Sequence, residues 1–279
     1  MSETGTLYIV ATPIGNRDDI SLRAIQTLKS VDSILAEDTR HSKQLLLPLG
    51  ISTPLISLHA HNEADRLDDF IAALQQGKTF ALISDAGTPL ISDPGFPLVR
   101  KARQLGIPVV PIPGASAVIT ALSASGVPCD TFTFIGFLPA KSVARCKILA
   151  SLENNEHTII FYESTHRIKD CLIDIATVLG SERELVLAKE LTKTFEAFVS
   201  GSCQTIQDWL DADTARCKGE FVLILPPCEV APKTNHEQLL SILLTELPLK
   251  QAVKIACQLT GEPRNELYQL ALSLANTET

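Results

Sequence analysis

A chain of 279 residues is long enough for two domains of ordinary size, and its 45% hydrophobic and 20% charged content excludes the low-hydropathy, high-charge signature of disorder. A net charge of -8 argues against a non-specific nucleic-acid coat, which needs a strongly basic surface, while leaving room for a local basic face. The seven cysteines stand at least eleven positions apart, which excludes zinc-ribbon and CxxC spacing and reads as reduced, structural thiols.

Residues 1–15 carry no basic n-region, and the apolar run at 7–11 is too short for a signal peptide or a membrane span, so a cytoplasmic protein without a membrane partner is expected. That run has strand composition, and Thr12-Pro13-Ile14-Gly15-Asn16 follows as a loop. A helical pattern starts at Ser21, and a second strand at 31–36 ends in the polar cluster Glu37-Asp38-Thr39-Arg40-His41-Ser42-Lys43. A short strand at 55–58 runs into His59-Ala60-His61, and a helix through Leu67, Phe70, Ile71 and Leu74 ends at Gly77. The strand at 80–83 breaks into Ser84-Asp85-Ala86-Gly87-Thr88-Pro89, a helix stops at Gly106, and a fifth strand at 109–112 precedes Pro113-Gly114-Ala115-Ser116-Ala117. Strands alternating with helices predict a mostly parallel sheet that binds ligands at its carboxyl edge, over residues 1–124.

After Gly126-Val127-Pro128 the chain restarts as a second α/β domain with a mixed sheet, residues 125–226. Its predicted strands lie at 132–136, 158–162, 184–189, 195–200 and 221–225, and its helices at about 141–152, 165–179 and 204–210. Residues 226–233 read as a linker, and 227–279 as linker plus helical extension. Between its last two helices, Thr260-Gly261-Glu262-Pro263 loosely resembles a helix-turn-helix turn, with Lys250, Lys254 and Arg264 as RNA contacts in that reading; a small bundle against the body or a dimer partner is preferred.

Several familiar motifs fail. Gly77-Lys78-Thr79 lacks the first Walker A glycine, since position 72 is Ala72, and no GxGxxG follows the first strand. Gly114 to Val118 misses the last position of a GxSxG elbow, which leaves Ser116 as a helix cap or ligand-binding hydroxyl. His59 and His61 lack a third ligand at useful spacing, so no metal is expected.

Three loops at carboxyl ends of strands, 12–16, 85–89 and 113–117, are nearly uncharged and backbone-exposing. Such loops suit a ligand with a carboxylate, a ribose and an adenine, and avoid the fixed cations a triphosphate needs.

At these positions the sequence resembles a known family. TPIGN, EDTRHSKQLL (37–46), SLHAHNE (57–63), LISDAGTPLISDPG (82–95), PGASA, FIGFLP (134–139) and FYESTHR (161–167) are similar to motifs of the small-subunit ribosomal RNA cytidine 2′-O-methyltransferases. These belong to the class III, tetrapyrrole-methylase-like group of S-adenosylmethionine enzymes. The resemblance implies two α/β domains with S-adenosyl-L-methionine in the cleft between them, a helical extension, a homodimer, and methylation of a cytidine ribose in the decoding region of 16S rRNA, either free or in the small ribosomal subunit. It carries a cofactor set of Pro13, Gly15, Gly87, Thr88, Pro89, Ile91, Ser116 and Ala117, with Tyr162 and Ala188 as second-domain walls. Thr88 stands where the porphyrin-methylating relatives have Asp.

For the base or the ribose-positioning group the candidates are Asp38, Asp85, Lys189 and Glu190, and the substrate side is expected at Asp38-Thr39-Arg40 with Glu163. Asp85 reads equally well as a loop-satisfying structural residue. Basic residues cluster as Arg40, His41 and Lys43; Lys141, Arg145 and Lys147; and His166, Arg167 and Lys169. From these, Arg40, His41, Lys43, Arg145 and Arg167 are expected to contact RNA phosphates, with helix-surface solubility as the alternative for the Lys141 group. The competing function is methylation of a small tetrapyrrole-like acid, and a non-enzymatic nucleotide- or ribosome-binding protein is the third.

Overall fold

Alternation of side chains along the first five strands sets the layering of the N-terminal half. In the computed structural model, which describes residues 4–228 and 236–275, β1 (Leu7–Val10), β2 (Ser33–Ala36), β3 (Leu55–Ser57), β4 (Phe80–Ile83) and β5 (Val109–Ile112) form one parallel sheet in the order β3-β2-β4-β1-β5. One face, with Val10, Ile34, Ala36, Ala81 and Ile83, packs against Ala24 and Leu28 of α1 (Leu22–Ser30) and Leu46 of α2 (Thr39–Leu46). The other, with Leu7, Leu35 and Leu82, packs against Phe70, Ile71 and Leu74 of α3 (Glu63–Gln75) and Leu98 and Ala102 of α4 (Phe96–Gln104). A sheet covered on both faces makes its central strands apolar throughout, which is why β4 is buried at every position.

After α5 (Ala117–Ala124) a second sheet is built from β6 (Phe132–Phe137), β7 (Thr158–Ser164), β8 (Glu184–Lys189), β9 (Ala197–Ser202) and β10 (Glu220–Leu225), in the order β6-β7-β10-β8-β9. Only the β6–β7 pair is parallel. One face carries Phe161, Leu187, Phe221 and Leu223 against α6 (Ser142–Ala150), α7 (Ile168–Leu179) and α8 (Cys203–Asp211). The opposite face, with Ile160, Val186, Ala188, Val222 and Ile224, packs against Val118, Ala121 and Leu122 of α5 and against Ile14. The last helix of the first half thus forms part of the core of the second, and the two sheets belong to one compact unit, Met1–Cys228.

Two elements start later than their sequence pattern suggests, each because side chains hold a turn. Residues 165–167 stay outside α7 because the Thr165 hydroxyl donates to Gly219 O and accepts from Gly219 N–H, both at 2.8 Å. Strand β9 begins at Ala197 because the preceding turn holds Glu190 and Thr192 at φ +50 and +64, with Thr192 N–H donating to the Glu196 carboxylate at 2.6 Å.

The second unit, Glu229–Thr279, is a three-helix bundle over its described residues. It comprises α9 (His236–Glu246), α10 (Leu249–Thr260) and α11 (Arg264–Ala275) around Leu240, Val253, Ala256, Leu267 and Ala271. Gly261 at φ +75 ends α10, and Pro263 precedes α11. Most of the expected linker, residues 229–233, lies outside the described residues. No helix among the described residues is long and apolar enough to cross a membrane.

Candidate active site

Strand order brings the signal-bearing loops together. Because β4, β1 and β5 are neighbours, the loops that follow them emerge side by side at the carboxyl edge, and β2 next to β4 adds Glu37 and Asp38. Thr12 and Gly87 exchange backbone hydrogen bonds at 2.9 and 3.0 Å, and the buried Thr12 hydroxyl donates to Ser84 O at 3.1 Å. The Thr88 hydroxyl donates to Ala115 O at 3.1 Å. Thr88 therefore ties the second loop to the third, a task that needs a donor and that an ionised Asp cannot perform.

These loops form one wall of a cleft of about 510 Å³. Its first-sheet side includes Ile14, Gly87, Thr88, Ile91, Ser116 and Ala117, and its second-sheet side includes Phe137, Tyr162, residues 163–166 and Gly219 to Val222. Gly136 lets β6 approach: it sits at φ +79 beside a bulge, and a Cβ there would come within 3.1 Å of Ser92 Oγ. Tyr162 is wedged edge-on to Phe134 and Phe137. Burial, outweighing a hydrogen bond from Val118 N–H, pushes its hydroxyl up to about 12.

The cleft is acidic. Glu37, Asp85 and Asp93 line it, and no lysine or arginine does among the described residues. Burial raises the Asp93 carboxyl to about 6 against a hydrogen bond from Ser84, with the neighbouring Glu37 and Asp85 adding to the rise. Glu37 is raised by burial and by Asp85. Among the described residues no group of three or more His, Cys, Asp or Glu is placed to hold a metal ion.

This acidity has a stability consequence. The Asp93 value of about 6 lies above the 3.8 of the free side chain, so the folded chain holds its proton more tightly and loses stability as pH rises through that window. Asp93→Asn is accordingly expected to be more stable than the parent at pH 7.5, on the order of 2 kcal/mol, and nearly equal to it at pH 4. Urea unfolding at the two pH values measures the difference; equal gaps at both would remove the charge explanation.

Beside the cleft lies a second cavity of about 320 Å³, lined by Pro13, Ile14, Gly15, Arg17, His41, Gln44, Leu45, Asp85, Ala86, Lys193 and Glu220. Ile14, Asp85, Ala86 and Glu220 belong to both.

The sequence candidates are distributed unevenly over this geometry. Gly87, Thr88, Ile91, Ser116, Ala117 and Tyr162 line the cleft, Pro13 and Gly15 the second cavity, and Asp85 both. Pro89 is buried without lining either, and Ala188 lies fully buried in the seam between α5 and the second sheet rather than forming a cofactor wall. Asp38 is the N-cap of α2: its Oδ1 accepts from Arg40 N–H at 2.8 Å and from His41 N–H at 3.4 Å, and these bonds hold its carboxyl below the usual range. Arg40, with its side chain 92% exposed, and Lys43 face solvent outside both cavities; only His41 of that cluster lines one.

Other candidates are held in ion pairs. Arg145, 3% exposed, bonds through Nε to Asp174 at 2.6 Å and cannot reach an RNA phosphate. Glu163 lines the cleft, but its side chain is fully buried and pairs with Arg167 at 3.2 Å, while Ser164 N–H donates to it at 2.8 Å. Arg167, half-buried, is also bonded to Leu138 O. Glu190 accepts from Lys193 and from Glu220 N–H, each at 2.9 Å; although burial opposes it, these contacts hold its carboxyl below the usual range. Lys189 is buried at the end of β8. Glu37, Asp93, Arg17 and Gln44 were absent from the candidate set and belong to the two cavities.

Comparison with known proteins places this geometry in a family. Ribosomal RNA small subunit methyltransferase I of Pasteurella multocida (strain Pm70) is 53% identical over 278 residues, covering 98% of this chain and 99% of its own. The protein of the same name from Haemophilus influenzae is 52% identical over 278 residues, 97% of either chain. The chain belongs to the ribosomal RNA small subunit methyltransferase I family. Residues 6–207 also match the family model described as Tetrapyrrole (Corrin/Porphyrin) Methylases, and residues 230–275 the one described as the RsmI C-terminal HTH domain. The latter gives weight to the helix-turn-helix resemblance of the turn at 260–263. Among solved structures, uroporphyrin-III C-methyltransferase from Thermus thermophilus, complexed with S-adenyl homocysteine, matches at TM-score 0.54 and 14% identity over 79% of this chain and 97% of that one. That likeness concerns the fold, and it agrees with the two-sheet methylase architecture of this family member.

Proposed function

We propose that this protein transfers a methyl group from S-adenosyl-L-methionine to the 2′-hydroxyl of a cytidine in the decoding region of 16S rRNA. The cytidine and the 2′-oxygen follow the resemblance of its motifs; ribosomal RNA as substrate follows its relatives. The observation that carries the cofactor is the acidic cleft: loops tied by Thr12–Gly87 and Thr88–Ala115 present backbone and hydroxyl groups, and Glu37, Asp85 and Asp93 face a ligand with no lysine or arginine among the lining residues. A sulfonium and an α-ammonium are stabilised by such a wall, whereas a triphosphate is repelled. The same three carboxylates argue against a polycarboxylate tetrapyrrole as acceptor.

Within this reading Gly87, Thr88, Ile91, Ser116, Ala117 and Tyr162 surround the cofactor. Bound there, it supplies an electrophilic methyl group. Holding donor and acceptor in line lowers the barrier by on the order of several kcal/mol before any proton transfer is counted.

The test is incubation with methyl-labelled cofactor and small ribosomal subunits from a strain lacking this gene, followed by nucleoside mass spectrometry. Label is expected in 2′-O-methylcytidine; label in a base-methylated nucleoside, or in an added porphyrinogen instead, would overturn the reading.

A further inference from the structure

The second cavity has no place in a cofactor site of ordinary size, since the first cleft alone offers about 510 Å³. A pocket of about 320 Å³ lies at the low end for small-molecule sites, enough for one nucleotide and far too small for a duplex. We infer that it receives the acceptor nucleotide, turned out of its stack, with its ribose against the wall shared with the cofactor cleft. This rests on the function proposed above and adds where the substrate binds.

The lining supports that occupant. His41, Gln44 and Leu45 stand at i, i+3 and i+4 of α2 and so share one face, while Lys43 points away from it. Leu45 offers an apolar surface for a base or sugar, and Gln44 an amide able to pair with a base edge. Arg17, exposed at the rim in the short 3-10 turn after Asn16, makes no ion pair among the described residues and is placed to take a phosphate. Lys193 is a different case: Glu190 and Glu220 hold it at 2.9 and 2.8 Å, so its charge is already balanced.

The floor is rigid. A Cβ on Gly15 would come within 2.5 Å of Lys193 Cγ and 2.8 Å of Leu191 O, and Asn16 N–H donates to Thr192 Oγ1 at 2.9 Å. The first loop is thereby seated on the turn whose residues Glu190 and Thr192 are left-handed. Such strain is kept where surrounding contacts fix a shape.

Asp85, on the shared wall, gives the arrangement its chemistry. Its Oδ1 accepts from Asp38 N–H at 3.2 Å, which orients the carboxylate. As the ribose oxygen attacks the methyl carbon, an O–C bond forms and the C–S bond breaks. The sulfonium leaves as a neutral thioether, and the hydroxyl proton passes to Asp85.

The experiment uses the full chain, unmethylated small subunits, labelled cofactor, and S-adenosylhomocysteine titrations by calorimetry. Leu45→Trp, which fills the pocket, is expected to lower kcat/KM for subunits about 100-fold or more. Arg17→Glu is expected to raise the KM for subunits about 10- to 100-fold with kcat nearly kept. Asp85→Asn is expected to lower kcat by roughly 10²–10⁴. Leu45→Trp and Arg17→Glu, which lie outside the cofactor cleft, should bind S-adenosylhomocysteine within about twofold of the parent.

Parental transfer rates in both Leu45→Trp and Arg17→Glu would overturn the inference and leave the proposed function standing. Lost S-adenosylhomocysteine binding in Leu45→Trp with an unchanged melting temperature would assign the cavity to the cofactor and also overturn it. If Leu45→Trp fails to fold, the surface variant Arg17→Glu decides alone. A parent enzyme that labels no small-subunit RNA would overturn inference and proposed function together.

Discussion

Replacing Arg145 with alanine is expected to destabilise the protein by about 3–5 kcal/mol, lowering its melting temperature by roughly 6–10 °C. The side chain is a cation taken almost completely out of water: 3% of it is exposed, and 13% of its partner Asp174. Its Nε donates to Asp174 at 2.6 Å, and Ser142 Oγ donates to the other carboxylate oxygen at 2.9 Å. Truncation leaves Asp174 with one hydroxyl for company, and the cost of an unpaired carboxylate among apolar neighbours exceeds whatever the pair itself contributed. Asp174→Ala should cost a similar amount, and the double change Arg145→Leu with Asp174→Leu should restore much of the loss. Thermal unfolding of the three variants checks this. Unchanged melting with weakened RNA binding in Arg145→Ala would return the residue to the RNA-facing set.

That case shows where sequence stops informing. A helix carrying Lys141, Arg145 and Lys147 reads as a basic stripe, but whether its middle member faces water depends on α7, which brings Asp174 from 29 positions away. The Glu163–Arg167 pair misleads for the same reason: FYESTHR looks like exposed polar chemistry at a strand end, yet Glu163 falls on the buried side of β7 and Arg167 follows it inward. Asp38 is the opposite case, since a local role accounts for its place in the chain. An Asp directly before a helical run is an N-cap by its position alone, and Asp38 is bonded as one.

What depends on neighbouring residues in the chain was legible. Apolar runs ending in Gly/Pro loops or in polar clusters gave all five strands of the first sheet, and the parallel order that alternation with helices implies put the loops at one edge. The acidic wall was not, because Glu37 and Asp93 come from different loops and meet only through the placement of β2 beside β4. Sequence also carried no sign of the second cavity, which exists because the left-handed turn at Glu190 and Thr192 comes up beneath Gly15.

Gly87→Val is expected to weaken S-adenosylhomocysteine binding more than about 100-fold. Gly87 lies at φ +80, a conformation in which a β-branched residue is an outlier, and a Cβ there would come within 3.3 Å of Ile14 Cγ2. Ile14 cannot yield easily, because it is packed with Val118, Ala188 and Val222 in the seam between α5 and the second sheet. The strain is relieved instead by moving residue 87, which breaks the paired hydrogen bonds with Thr12 and swings the Thr88 hydroxyl off Ala115 O. Three loops lose their register together, and a ligand gripped through backbone groups loses several bonds at about 1 kcal/mol each. Gly106→Val is the matching control: φ is +70, but a Cβ there meets nothing within 4 Å. It carries the left-handed penalty, about 1–2 kcal/mol of stability, without disturbing the cleft. Calorimetry should therefore show affinity lost in Gly87→Val and kept in Gly106→Val; equal loss in both would mean that general destabilisation, and not the placement of the loop, controls binding.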